Sequence, residues 1–338
     1  MKKIKVGVSG YGVIGQRLAD GVALQKDMEL VGVADIAPTL SVRALAAKGM
    51  PYKMFNVMPE NKSMEEAGIP VSGSFEELIR ECDIILDSSP GGVGAKNKEI
   101  YAKYNKKAVF QGGEKNEVAD VFFHGYANYE KGIGQQFLKL TSCNTTGLIR
   151  AVDMIDRAFG VEKAAITIIR RVADPGDYHR GLTNALQLEN APSHQAVDLM
   201  TIMPHIPCTG ILVHTPVTHG HIITVVVTSK KKLGKKELWE MACEHPRIMA
   251  VRLADGFLGN ASMFRWARDM GYPRGDMYEI ALWEESIVSS GDDIMFAINI
   301  PQESVVIPES IDAVRAAMKM QTTREEGTAK TNQYLGLK

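Results

Sequence analysis

The chain has 338 residues, of which 45% are hydrophobic and 23% charged, and its formal net charge is −1. That length predicts two domains with a sizeable core in each, and the near-neutral balance excludes a general attraction for nucleic acid or anionic membrane. Cys82, Cys143, Cys208 and Cys243 lie far apart without a C-x-x-C pair, and no apolar run reaches the ~20 residues of a membrane span. Strand pattern begins at residue 3, so a signal peptide is not expected, and the reading is a reduced, cytoplasmic protein.

Lys3-Ile4-Lys5-Val6-Gly7-Val8-Ser9 has the pattern of a buried strand and runs into Gly10-Tyr11-Gly12-Val13-Ile14-Gly15. This is G-x-G-x-x-G placed after a strand and opening a helix over residues 13–24. The first glycine permits the turn, the second lets backbone approach a pyrophosphate, and the third lets helix pack on strand. The helix N-terminus then faces the phosphates. A second strand over residues 28–34 ends in Asp35, 20 residues beyond Gly15, where a carboxylate accepts from an adenosine ribose. Strand 83–87, the polar loop 88–92, helix 96–104, strand 108–110 and the turn Gln111-Gly112-Gly113 continue the alternation. Alternating strands and helices predict a parallel sheet with ligand at the carboxyl ends of its strands. Residues 50–75 carry no clear pattern.

After the apolar run 137–140 comes Thr141-Ser142-Cys143-Asn144-Thr145-Thr146-Gly147, and from Leu148 to Ile155 apolar residues recur at helical spacing. Ser142 and Thr145 are the candidate caps of that helix. Cys143 then stands at a helix N-terminus, where unpaired N–H groups and the macrodipole lower a thiol's pKa from about 8.5. Its polar neighbours favour a nucleophile over a small buried hydrophobe. Strand patterns at 163–171, 210–217, 221–228 and 294–300, with helices at 235–244 and 261–270, predict a second, α+β domain on a mostly antiparallel sheet. Residues 310–320 have helical spacing and should pack against one of the domains.

A dinucleotide site feeding a candidate thiolate suggests oxidation of an aldehyde through a thioester. Such chemistry needs a proton-handling group, and Thr218-His219-Gly220-His221 supplies two histidines. If strand geometry extends back over them, both point to one face, so spacing alone cannot choose. As a metal pair, H-x-H lacks a third ligand at a recognisable spacing. Arg170-Arg171, before Ala173-Asp174-Pro175, suits either a phosphate or carboxylate ligand or an ion-paired strand end. Ser193-His194-Gln195 lies in a polar loop and adds candidate donors.

Together, Ser142-Cys143-Asn144-Thr145-Thr146-Gly147, Gln111-Gly112-Gly113-Glu114-Lys115, Arg170-Arg171 with Ala173-Asp174-Pro175, the paired His219 and His221, Gln302-Glu303-Ser304 and Gly10-Tyr11-Gly12 carry a resemblance. Over nearly its whole length the chain resembles the archaeal-type (type II) phosphorylating glyceraldehyde-3-phosphate dehydrogenases. The resemblance implies an α/β fold with a Rossmann dinucleotide-binding domain over 1–142 and a catalytic domain over 143–303. A C-terminal helical segment, 304–338, would return to the dinucleotide-binding domain. It implies Cys143 as nucleophile and favours His219 as acid/base, with Ser142, Asn144, Thr145, Arg170, His194 and Gln195 on the substrate. Val13, Ile14, Gly113, Arg171 and Gln302 would join Gly10, Gly12, Gly15 and Asp35 at the cofactor. The implied reaction converts glyceraldehyde 3-phosphate and inorganic phosphate to 1,3-bisphosphoglycerate in a homotetramer without metal, NAD being preferred and NADP tolerated. Two departures stand out. The family commonly has two histidines where this chain has His194-Gln195 after a shorter loop, and its archaeal members often have a lysine or other neutral-to-basic residue in place of Asp35. A related phosphorylating dehydrogenase for another aldehyde or semialdehyde, and a dinucleotide sensor without turnover, are the rival readings.

Overall fold

The computed structural model describes residues 2–58, 60, 62–171 and 186–338; Ala173-Asp174-Pro175 lies outside them. The chain divides into two compact units, Met1–Thr141 with Ile307–Leu337, and Ser142–Val306 with Lys338.

In the first unit, strands β1 (Ile4–Ser9), β2 (Met28–Asp35), β3 (Met54–Asn56), β4 (Gly73–Ser74), β5 (Ile84–Asp87), β6 (Lys107–Phe110), β7 (Val121–Phe123) and β8 (Phe137–Leu140) form one sheet. Its order is β4-β3-β2-β1-β5-β6-β8-β7, and every pairing is parallel. Helices α1 (Val13–Ala23), α2 (Leu40–Ala47), α3 (Ser63–Glu66), α4 (Phe75–Glu81) and α5 (Val93–Lys103) connect the strands. The strand order reverses at β1, which has β2 on one side and β5 on the other, so the crevice for a ligand opens at its carboxyl end. There Gly15 packs so tightly that a Cβ would fall 1.8 Å from the Gly10 carbonyl oxygen.

Between β4 and β8 the apolar residues Phe75, Leu78, Tyr101, Phe110 and Phe137 form one buried cluster. The opposite support comes from the end of the chain. Helix α10 (Ile307–Ala317) is buried along its whole length and packs on α1. Its Arg315 is fully buried and donates to both oxygens of Asp27, at 2.7 and 3.1 Å, and to Gln25 at 2.7 Å. A buried guanidinium needs such partners, because removing one leaves an uncompensated charge that costs about 3–5 kcal/mol. Arg315 also donates to Thr331 on α11 (Arg324–Leu335), which holds the last helix in the same unit.

The second unit carries β9 (Val161–Arg171), β10 (Gln187–Leu188), β11 (Cys208–Thr215), β12 (His221–Ser229), β13 (Ile248–Val251), β14 (Ile280–Trp283), β15 (Val288–Ser290) and β16 (Asp293–Ile300). The order is β10-β11-β9-β12-β16-β14-β13, with β15 on β16. The expected mostly antiparallel sheet is corrected here: the sheet is mixed, with β9–β11 and β13–β14 paired in parallel. A parallel pair needs a long crossover. The connections that contain α7 (His194–Ile202) and α9 (Asn260–Asp269) provide one for each pair, and α8 (Lys235–Glu244) leads into β13.

Helix α6 (Cys143–Phe159) lies across this sheet on β12, β16 and β9, burying Leu148, Ile149, Val152 and Ile155. Its Arg150 is fully buried and donates to the carbonyls of Tyr278 and Val305, both at 2.6 Å, which pins the helix to the connections around the sheet. No helix among the described residues is long and apolar enough to cross a membrane.

Candidate active site

Cys143 is the first residue of α6, as its strand-to-helix setting predicts. Ser142 is the N-cap, and its hydroxyl oxygen accepts from the Thr145 amide. Thr145 is fully buried; its hydroxyl lies 2.9 Å from that of Ser142 and donates to Asp198 on α7 at 3.1 Å. This relay braces the first turn of α6 against α7 and leaves the Cys143 thiol half-exposed at the helix N-terminus. The Thr145 hydroxyl is therefore a brace between two helices. Asn144 is buried, and its side-chain oxygen has no hydrogen-bond partner among the described residues.

The histidine facing the thiol is His221: Nε2 lies 3.7 Å from Cys143 Sγ. The register explains why. His221 pairs with Ile300 across β12 and β16, and the Ile300 side chain touches Gly147 on α6, so this face of the sheet meets the start of that helix. Gly220 separates the two histidines. At φ +66° that residue takes a conformation open to glycine, and β12 begins only after it. The pleat therefore does not extend back, and His219 does not share the face of His221. His219 is exposed, bonded to the Thr218 hydroxyl at 3.1 Å and packed edge-on against Phe264 with ring centroids 5.0 Å apart.

Burial and the nearby charges of Arg171 and Arg170 push the His221 imidazole down to about 3, while a hydrogen bond with Gln302 acts in the opposite direction. The ring is thus neutral at physiological pH. Its Nδ1 accepts from the main-chain N–H of Arg171 at 3.2 Å. The Arg171 guanidinium is buried and donates to the Thr218 carbonyl and to Glu303, each at 2.7 Å. Arg170, by contrast, is partly exposed and pairs with Glu189 at 3.6 Å. Of the two arginines expected at an anion site, one is buried as a brace and the other lies at a wet strand end.

Ser193 caps α7 without a side-chain bond to its first turn, and its buried hydroxyl has no partner among the described residues; the same holds for the side-chain oxygen of Gln195. His194 is exposed and lies 2.8 Å from the Gln195 amide nitrogen. Asn299 on β16 adds another buried, unpartnered amide oxygen, beside Gly220. Buried polar atoms without partners are rare, and at a helix start they mark a place for a ligand. Asp198 and Asn299 escaped the sequence reading, and Glu303 entered it only within the Gln302-Glu303-Ser304 motif, without a role. Asn299 left a signal, a lone amide in an apolar strand, and Asp198 left none.

In the first unit the predicted cofactor residues come together at the carboxyl ends of β1, β5 and β6. Gly10 lies against Ser88, whose hydroxyl donates to the carbonyls of Ser9 and Gly10. Gly113 approaches Gly91, and Glu114 accepts from the Gly94 amide at the start of α5. Val13 and Ile14 open α1, which has no side-chain cap, and a Cβ on Gly12 would meet no atom within 4 Å. Free N–H groups beside open space at a helix start fit a pyrophosphate. Asp35 accepts from the amides of Tyr11 at 2.9 Å and Ile36 at 2.7 Å, and each carboxylate oxygen has capacity for a second donor such as a ribose hydroxyl. Arg171 and Gln302 belong to the second unit.

Comparisons with known proteins agree with this division of labour. Residues 142–286 match the C-terminal domain family of glyceraldehyde 3-phosphate dehydrogenase, and residues 4–117 match the N-terminal family of dihydrodipicolinate reductase. A glyceraldehyde-3-phosphate dehydrogenase of Sulfolobus acidocaldarius is 39% identical over 99% of this chain and 98% of its own. Those of Methanococcoides burtonii and Archaeoglobus fulgidus are each 38% identical over 100% of this chain and 100% and 99% of theirs. Among solved structures, aspartate semialdehyde dehydrogenase II from Vibrio cholerae superposes with a TM-score of 0.67 over 94% of this chain and 98% of its own, at 14% identity, a likeness of fold alone.

Proposed function

The chain belongs to the glyceraldehyde-3-phosphate dehydrogenase family, and from that premise we propose that it oxidises glyceraldehyde 3-phosphate through a thioester on Cys143 and transfers the acyl group to inorganic phosphate, giving 1,3-bisphosphoglycerate. The observation that carries the reading is the Cys143 thiol at the first residue of α6 with His221 Nε2 3.7 Å away. Helix N–H groups favour the thiolate, which is the nucleophile. The sulfur adds to the aldehyde carbon, and the proton-handling role expected of His219 passes to His221. The nicotinamide cofactor, when bound, accepts the hydride. Phosphate then attacks the acyl carbon and the Cys143 sulfur departs as thiolate.

For the substrate, Asn144, Ser193 and Gln195 offer buried polar atoms without partners among the described residues, and the family resemblance adds Ser142, His194 and Arg170. For the cofactor, the start of α1, Gly113 and Asp35 supply the cradle of the first unit. Asp35 favours NAD over NADP, because its carboxylate accepts from ribose hydroxyls and repels a 2′-phosphate. No disulfide joins Cys82, Cys143, Cys208 or Cys243, which suits a reducing, cytoplasmic setting. A homotetramer is the assembly the family resemblance implies. A semialdehyde dehydrogenase has only the shared fold in its favour. The test is a steady-state assay with glyceraldehyde 3-phosphate and NAD, with and without inorganic phosphate. Turnover should require phosphate, and equal rates without it would refute the phosphorylating step.

A further inference from the structure

We propose that the first unit carries a second anion site, for a chain of linked phosphates, in a cleft at the amino end of its sheet. Lys2, Lys3, Lys26 and Lys330 form it around the ring of Tyr334, away from the cofactor crevice.

The topology sets the two sites apart. β1 runs from Ile4 to Ser9, so its amino end lies about 20 Å from the glycine-rich turn at its carboxyl end. Lys2 and Lys3 immediately precede β1, and Lys26 stands in the turn between α1 and β2. Lys330 and Tyr334 are four residues apart on α11 and so share a face. Together these segments enclose a cleft of about 910 Å³, the size of a small-molecule site.

The side chains that line the cleft offer mainly donors. Asp27 is neutralised by Arg315, which bonds both of its oxygens, at 2.7 and 3.1 Å. Guanidinium and ammonium groups can only donate, which fixes the two amides beside them. Gln321 Oε1 accepts from Arg315 at 3.2 Å and Gln333 Oε1 accepts from Lys330 at 3.3 Å, so each amide keeps its NH2 to donate. None of the four lysines has a carboxylate partner among the described residues. Four ammonium groups against the remaining carboxylate, that of exposed Glu326, leave a surplus of three positive charges in a chain of net charge −1.

The cations are also held close to one another. Nζ of Lys26 and of Lys330 lie 5.9 and 4.7 Å from the centroid of the Tyr334 ring, and the Arg315 guanidinium lies 5.8 Å from it. The electron-rich ring gathers these like charges, and a bound anion relieves their repulsion. A single phosphate monoester carries about −2, short of the surplus, whereas linked phosphates exceed it and present acceptors at several points.

The test is calorimetric titration of the full chain, saturated with NAD to fill the crevice, at about 0.05 M salt, where screening is modest. Tripolyphosphate should bind one site per chain, at least tenfold tighter than inorganic phosphate. Lys26→Ala combined with Lys330→Ala should weaken it more than tenfold, the fold-change of losing a charged hydrogen bond or more, while the affinity for NAD stays within about twofold. Lys26→Arg combined with Lys330→Arg should retain most of the affinity. ATP no tighter than tripolyphosphate marks the phosphate chain alone as the recognised group, and ATP several-fold tighter marks a nucleotide that carries it. Tripolyphosphate should also protect Lys26 and Lys330 from acetylation by an N-hydroxysuccinimide ester, read by mass spectrometry. Absence of saturable binding, equal affinity for inorganic phosphate, an affinity unmoved by the alanine pair, or undiminished acetylation would each overturn the site. None of these results depends on the chemistry at Cys143.

Discussion

The glycine-rich turn of the first unit and the thiol site of the second are assembled in opposite ways. The turn is contiguous: Gly10, Gly12, Val13, Ile14 and Gly15 follow one another, and the acid that completes them ends the very next strand. The thiol site joins Cys143 to a histidine 78 residues away, then to Arg171, Glu303 and the start of α7. A contiguous motif fixes its own geometry, whereas a dispersed one is fixed by sheet register. One glycine can then decide which of two neighbouring histidines reaches the sulfur.

The largest expected effect tests that choice. His221→Ala should lower the rate of the chemical step by about 10²–10⁴, the usual worth of a general acid/base. His219→Asn, at an exposed ring packed on Phe264, should leave that rate within about threefold. Pre-steady-state NADH formation checks both, and the reverse pattern would restore the two histidines to their expected roles.

Gly15→Ala breaks the other side of the comparison. A Cβ 1.8 Å from the Gly10 carbonyl must displace the turn or the helix. Cofactor affinity should drop more than tenfold, since the turn and the N-terminus of α1 hold the pyrophosphate together. Alkylation of Cys143 in the cofactor-free protein, which reports on the other unit, should change little. Titration by quenching of protein fluorescence measures the first and mass spectrometry the second.

A subtler change sharpens the contiguous site. Asp35→Ala should cut the preference for NAD over NADP by about tenfold, because the carboxylate that rejects a 2′-phosphate is gone. Comparison of kcat/KM for the two cofactors checks it. A preference for NADP in the unaltered enzyme would contradict the role given to Asp35.

The smallest effect is on stability. His221 stays neutral in the fold down to about 3, whereas an unfolded chain binds a proton on that ring near 6.5. Between these values the unfolded state holds the extra proton, so stability rises with pH across this window and is lost as pH falls through it. Thermal melts should show this slope in the wild type and a shallower one in His221→Gln. Identical slopes would mean that the ring is charged in the native state.

Much of the fold was legible because its signals are local. The strand, turn and helix around Gly10–Gly15, the strand–helix junction at Cys143 and the strong apolar period of β12 all act over a few residues. The mixed pairing of the second sheet was not, since β9 beside β11 depends on a crossover that alternation within a strand does not report. The pairing of His221 with Cys143 was hidden for a related reason: strand period places both histidines on one face, and only the positive φ of Gly220 separates them. Arg171 read equally as an anion ligand or an ion-paired strand end, because its partner Glu303 lies 132 residues on. Asp198 and Asn299 became visible only once α7 and β16 were packed.

The account turns on a covalent acyl group at Cys143 that phosphate removes. Rapid mixing of the NAD-loaded protein with glyceraldehyde 3-phosphate in the absence of phosphate measures this directly. The account predicts a burst of one NADH per Cys143, then a stall that phosphate relieves, and no burst in Cys143→Ser. Sustained turnover without phosphate, or a burst that survives Cys143→Ser, would contradict it.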